Sequence, residues 1–272
     1  FGYARLIVRN DFLALLAFVC GIFNLYFTGP FVYIVLSTGL FISMSIQFSH
    51  EIAQRFKMKK KLRKVKAVLF DFDGTLVDDM EEFADIAGNV MNKYYGISFK
   101  LARKRYVDIT GIPFIQQIHV IIPGGEYNEK VNQEFEDTKE KVFFEKKIEP
   151  DVKETLEWLK KHNKKIAVSS GGFKHMMDEF CEKEKVDFDL IMGYEENFEK
   201  GPQHFSFKLD KFKLKKDELL FIGDSLKDAE KGTHFGIQFI AKCGTFSKKD
   251  FLTNFPNILA IEHVKKLKRL LK

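Results

Sequence analysis

No Asp, Glu, Lys or Arg occurs between Phe12 and His50, a run of 39 residues. A stretch of that length without charge has to be covered, either by lipid or by a protein core. It also divides the chain. Up to Lys66 there are 10 Lys/Arg against 2 Asp/Glu; the other 206 residues carry 34 against 36. The formal charge of +6 therefore belongs to the N-terminal part, and the rest is a near-neutral globular domain. With no basic surface left on that domain, nucleic acid is excluded as a partner.

Within the uncharged stretch, residues 12–27 and 31–48 are two apolar runs separated by Thr28-Gly29-Pro30. As helices they would measure about 24 and 27 Å, just short of a hydrocarbon core of about 30 Å. Arg5 and Arg9 stand before the first run; Arg55, Lys57, Lys59, Lys60, Lys61, Arg63, Lys64 and Lys66 follow the second. Positive charge at both outer ends predicts a transmembrane hairpin (residues 1–52, inserted through 12–48) with both ends cytoplasmic. Residues 53–64 then form a basic linker able to sit on anionic headgroups. This expectation makes the protein membrane-anchored, with the larger domain in the cytoplasm. A buried helical pair is the competing reading. Cys20, Cys181 and Cys243 are too few and too scattered for a disulfide framework or a zinc site.

From residue 65 the pattern changes. Apolar strand segments at 65–70, 165–170, 188–193, 219–223 and 237–241 alternate with amphipathic helical segments at 152–162, 174–185, 203–213 and 225–235. That alternation predicts an α/β domain over 65–272 built on a doubly wound parallel sheet. The stretch after the first strand is too long for a simple crossover and reads as four helices, at 81–95, 98–109, 113–121 and 128–147. It is expected to be a helical cap (79–148) on a core formed by 65–78 and 149–272, and a lid of that kind can exclude water.

Polar residues gather where strands end, the place where parallel sheets bind ligands. Asp71-Phe72-Asp73-Gly74-Thr75 puts two carboxylates two residues apart, a pair that demands a hard cation such as Mg²⁺ or a shared proton. Ser169-Ser170-Gly171-Gly172 offers a hydroxyl and free amides to an anion. Lys200-Gly201-Pro202 places a cation before a helix, and Gly223-Asp224-Ser225-Leu226-Lys227-Asp228 ends a strand with two carboxylates four apart. Each alone also reads as an ordinary turn or cap.

Taken in order, with 24 residues from Lys200 to Asp224, the four closely resemble the motifs of the haloacid dehalogenase superfamily of phosphotransferases. The resemblance covers about residues 65–272, including the place of the cap. It implies that Asp71 is the nucleophile that becomes an aspartyl phosphate and that Asp73 is the general acid, then base. Ser170, Gly171 and Lys200 would hold the phosphoryl group, with Lys200 also neutralising Asp71. Mg²⁺ would be bound by Asp71, the carbonyl of Asp73, and Asp224, with Asp228 ordering metal waters; Thr75 would fix the first loop. The activity implied is Mg²⁺-dependent phosphomonoester hydrolysis of a small metabolite or lipid-headgroup phosphate ester. A phosphomutase and a membrane-tethered phosphate-binding module without turnover are the alternatives.

Lys200 departs from the usual Lys-Pro of the third motif, which leaves Lys208 as a weaker rival. His204 is expected to be structural. Arg103 and Arg105 are open between a substrate contact and a solvated helix face. Asp78, Asp79, Glu81 and Glu82 are expected to start a helix, where acidic side chains suit the dipole.

Overall fold

The computed structural model describes Leu15, Leu16, Val19 and residues 30–272. The chain divides into two compact units, Phe1–Lys61 and Leu62–Lys272.

From Pro30 the chain forms helix α1, Pro30–Leu62, 33 residues long with Lys59, Lys60 and Lys61 in its last turn. The expected second arm, 31–48, and the expected linker up to Leu62 therefore belong to one continuous helix. Nothing between Leu40 and Leu62 is Gly or Pro, and residues such as Glu51, Ala53, Gln54, Arg55 and Met58 propagate a helix readily. Among its described side chains, Phe41, Ile42, Met44, Ile46, Phe48 and Phe56 are exposed. The expected first arm, 12–27, lies outside the described residues except for Leu15, Leu16 and Val19. Among the described residues no helix is long and apolar enough to cross a membrane, so the expected transmembrane hairpin finds no support there.

The second unit begins with β1, Ala67–Phe70, followed by α2 (Met80–Tyr95), α3 (Phe99–Asp108), α4 (Phe114–Ile121), α5 (Asn128–Glu145) and α6 (Pro150–Lys161). Then β2 (Lys165–Phe173), α7 (Lys174–Lys183), β3 (Leu190–Tyr194), α8 (Pro202–Phe212), β4 (Leu219–Gly223), α9 (Leu226–Phe235), β5 (Gln238–Lys242), α10 (Lys248–Asn254), β6 (Leu259–Ile261) and α11 (Leu267–Leu270) complete it. Among the described residues the strands make one six-stranded sheet, β3-β2-β1-β4-β5-β6, with every neighbouring pair parallel. This is the expected doubly wound α/β fold with a helical cap after the first strand.

Burial follows from that topology. Helices on both faces leave no wet side, and all residues of β1 and β4 are buried. Ala67, Leu69, Phe205, Phe221, Phe239 and Phe251 belong to one core cluster. The cap (α2–α5) carries its own aromatic centre, where the Phe114 and Phe135 rings stack with centroids 3.8 Å apart. Phe72 lies between the two, 5.5 Å from the Phe143 ring on α5 and 5.3 Å, edge-on, from Phe180 on α7.

The sheet order reverses at β1. Its crossover to β2 goes to one side, while β4 pairs along its other edge, with Val68 opposite both Ile166 and Leu220. A crevice at the carboxyl ends is the geometric result, and ligands bind in such crevices.

Candidate active site

Asp71 follows β1 directly and extends its ladder by one residue, its amide donating to Ile222 O at 2.8 Å. Phe72 turns into the apolar contact described above, so the residues on either side of it face the crevice. Gly74 then reverses the chain at φ +72°, where a Cβ would also collide with the Asp224 carboxylate. The Thr75 and Leu76 amides close the turn on Phe72 O at 3.2 and 2.9 Å. Thr75 thus fixes the loop through its backbone; its buried hydroxyl has no protein partner.

Asp224 follows β4 beside Asp71, and Asp228 lies in the first turn of α9. One ligand oxygen from each of Asp71, Asp224 and Asp228 falls within 4.8 Å of the others. Asp228 is fixed by a capping box: Ser225 Oγ accepts from its amide at 3.0 Å, and its Oδ2 accepts from the Ser225 hydroxyl at 2.7 Å. Lys200 Nζ donates to Asp71 Oδ1 at 2.6 Å and lies 2.6 Å from Asp228 Oδ1. The motif's departure has a local cause, since Gly201 sits at φ +128°, ψ −138°, open to glycine alone, and Pro202 begins α8.

Electrostatics here are unbalanced. In this cluster the buried Asp71, Asp224 and Asp228 carboxylates gather about the buried Lys200 ammonium. Burial, with Asp228 and Asp224 adding to it against Lys200, raises the Asp71 carboxyl well above its usual value. Burial and then Asp228 push Asp224 up to about 6. Burial pulls Lys200 down, but Asp228 and Asp71 outweigh it and hold the ammonium above its ordinary value. A buried set of hard oxygen donors with excess negative charge suits a small divalent cation, so the residues present fit Mg²⁺.

On the other side of the crevice β2 runs three residues further than expected, through Ser170, Gly171 and Gly172 to Phe173. The Ser170 hydroxyl accepts from the Gly172 amide at 3.0 Å, and Gly171 and Gly172 line the cavity. That cavity, about 50 Å³, also takes in Asp71, Asp73, Lys200 and Asp224. Asp73 Oδ1 is buried there without a partner.

Several residues escaped the sequence reading. Lys139, on α5, brings its Nζ to 3.8 Å from Asp73 Oδ2. Tyr106 and Gln117 reach the same cavity from α3 and α4. Thr245 donates its hydroxyl to Asp224 Oδ2. Asp79 does not cap α2 with its side chain but turns inward, fully buried, and accepts from the Gly74 amide at 3.0 Å. Only Thr245 had a local signal, a Gly-Thr pair just past a strand end.

The doubtful candidates resolve simply. Lys208 lies away from the cavity, donating to Val68 O at 3.3 Å. His204 is wholly buried and hydrogen-bonds Ser169 Oγ through Nδ1 at 2.9 Å; burial and then Lys200 lower it to about 4, so it stays neutral. Arg103 pairs with Glu81 and Asp85 on α2, and Arg105 is exposed. Both belong to a solvated face.

The sequence pattern of the haloacid dehalogenase-like hydrolase family matches residues 68–242, most of the second unit. The chain belongs to this family. Among related proteins, pyrophosphatase PpaX of Bacillus mycoides is 24% identical over 199 residues, 70% of this chain and 88% of that one. Phosphoglycolate phosphatase of Photorhabdus laumondii is 25% identical over 227 residues, covering 74% and 94%. A haloacid dehalogenase-like hydrolase structure from Streptococcus pneumoniae superposes with a TM-score of 0.64 at 19% identity, covering 77% of this chain and 99% of that one. The chain is thus a haloacid dehalogenase-type phosphatase, an enzyme hydrolysing phosphate esters.

Proposed function

We propose that the protein is a Mg²⁺-dependent phosphomonoester hydrolase that works through an aspartyl phosphate on Asp71. The observation that carries this reading is the 2.6 Å contact of Lys200 Nζ with Asp71 Oδ1, beside the carboxylates of Asp224 and Asp228. An anionic nucleophile and a phosphate dianion repel each other, and a fixed cation at that oxygen reduces the repulsion.

In the first step an Asp71 oxygen attacks phosphorus and the bond to the ester oxygen breaks. Asp73 gives that oxygen its proton, so the leaving group departs as an alcohol or acid. In the second step Asp73 takes a proton from water, whose oxygen attacks phosphorus. Free phosphate leaves and Asp71 is restored. The hydroxyl of Ser170 and the amide at Gly171 suit the equatorial phosphoryl oxygens. Mg²⁺, held by Asp71, the Asp73 carbonyl and Asp224 with Asp228 behind its waters, would neutralise phosphoryl charge.

The names of the relatives suggest pyrophosphate and phosphoglycolate as first substrates to try. A panel of phosphate esters, with lipid-headgroup and sugar phosphates included, tests the reading through phosphate release with and without Mg²⁺. Release is expected from at least one ester, only with Mg²⁺, and reduced at least about 1000-fold in Asp71→Asn. No release from any ester overturns it, and isomerised sugar phosphate without release would point to a mutase.

A second reading concerns the N-terminal unit: membrane attachment through residues 12–48. It is supported by the uncharged run, the basic residues that follow it, and the exposed Phe41, Ile42, Met44, Ile46 and Phe48 of α1.

A further inference from the structure

Lys139 is a buried cation with unspent hydrogen-bonding capacity. The residue is 8% exposed, yet among the described residues Asp73 is the only carboxylate within ion-pair distance, and 3.8 Å is too long for a hydrogen bond. Its Nζ also lies 4.8 Å from the centre of the Phe83 ring. A mere counter-ion would close to contact, as Lys200 does at 2.6 Å. The ammonium instead faces the cavity, where it is free to donate to a ligand.

Gln117 shows the complementary lack. Its side-chain nitrogen donates to Ile112 O at 2.9 Å, while its oxygen, in a residue only 3% exposed, has no partner. Both residues come from the cap and line the same cavity, whose other cap walls include Phe83, Tyr106, Phe114 and Phe135. Asp73, which on the reading above protonates the leaving oxygen, lies beside Lys139 and shares the cavity with the nucleophile. The cap side of Asp73 is therefore where a leaving group goes. At about 50 Å³ the cavity has room for roughly four water-sized groups beyond the protein atoms.

We propose that Lys139 and Gln117 form a leaving-group subsite that selects small leaving groups carrying their own anionic oxygen group, a carboxylate or a phosphate. Lys139 takes the anionic oxygens, and Gln117 Oε1 accepts from the hydroxyl that the leaving oxygen becomes once Asp73 has protonated it. The proposal rests on the phosphatase reading and adds a specificity that the four motifs do not contain.

The test uses the full chain with Mg²⁺ and three substrates: pyrophosphate, 2-phosphoglycolate, and 2-hydroxyethyl phosphate, which replaces the carboxylate of the second by a neutral CH₂OH. The wild type is expected to favour at least one anionic substrate over 2-hydroxyethyl phosphate by about 100-fold in kcat/KM. Lys139→Met is expected to collapse that ratio at least about 10-fold, mainly through KM, with Lys139→Arg restoring part of it. Which of the two anionic substrates is preferred distinguishes a phosphate from a carboxylate leaving group.

Equal losses on charged and neutral substrates would make Lys139 only a counter-ion of Asp73 and overturn the proposal. If Lys139→Met fails to fold, the wild type still decides, because hydrolysis without preference for the anionic substrates overturns it as well. Absence of turnover on the whole ester panel is a different result: it removes the phosphatase reading and this proposal with it.

Discussion

Asp71, Asp224 and Lys200 come from three loops, yet their positions follow from single-residue choices. Phe72 spends the residue between two carboxylates on apolar contact, and Gly74 leaves space for Asp224 where any side chain would collide. Lys208 shows what a buried ammonium costs without a carboxylate. Burial, opposed by Asp189 and reinforced by Lys165, lowers it to about 7. A lysine depressed in the native state binds fewer protons there than in the unfolded chain between about pH 7 and 10.5. Stability should therefore rise with pH across that window and fall as pH drops through 7. Lys208→Met should be the more stable protein at pH 6.5, by about 2–3 kcal/mol, with the advantage shrinking toward pH 9.5. Urea unfolding of both proteins at the two pH values measures it, and a constant difference would show that Lys208 is not depressed.

At the scale of elements, the strands and the cap were legible because their signals are local. Fully buried parallel strands such as Ala67–Phe70 read as short apolar runs, and the cap helices carry helical periodicity. The site motifs were legible because each sits in one loop at fixed spacing. Lys139, Gln117 and Tyr106 were not, since each is one polar residue on an amphipathic helix and only packing of α3, α4 and α5 over the sheet turns it inward. The sixth strand escaped for another reason: Leu259–Ile261 is too short to show a period. Two boundaries moved. β2 continues through Ser170-Gly171-Gly172, a turn-like sequence, by pairing Phe173 with Tyr194 after an irregularity in the ladder. α1 continues through the basic segment because nothing there breaks a helix.

The whole chain combines a candidate site built from residues of Leu62–Lys272 with an N-terminal unit of different chemistry. Charge separates them, as only the first part is strongly basic. If residues 12–48 attach the enzyme to a membrane, the full chain should stay with membranes after a wash at about 1 M salt, which screens the basic residues but not buried apolar ones. A form beginning at Leu62 should wash off. Release of both would remove the attachment.

Covalent capture of the phosphoryl group tests the account most directly. The enzyme is mixed with a hydrolysed ester and Mg²⁺, quenched in acid within the first turnover, and its peptides are weighed. One added phosphoryl group is expected on the peptide carrying Asp71, absent in Asp71→Asn. Turnover at full rate with no label there, or with the label on another residue, would contradict it.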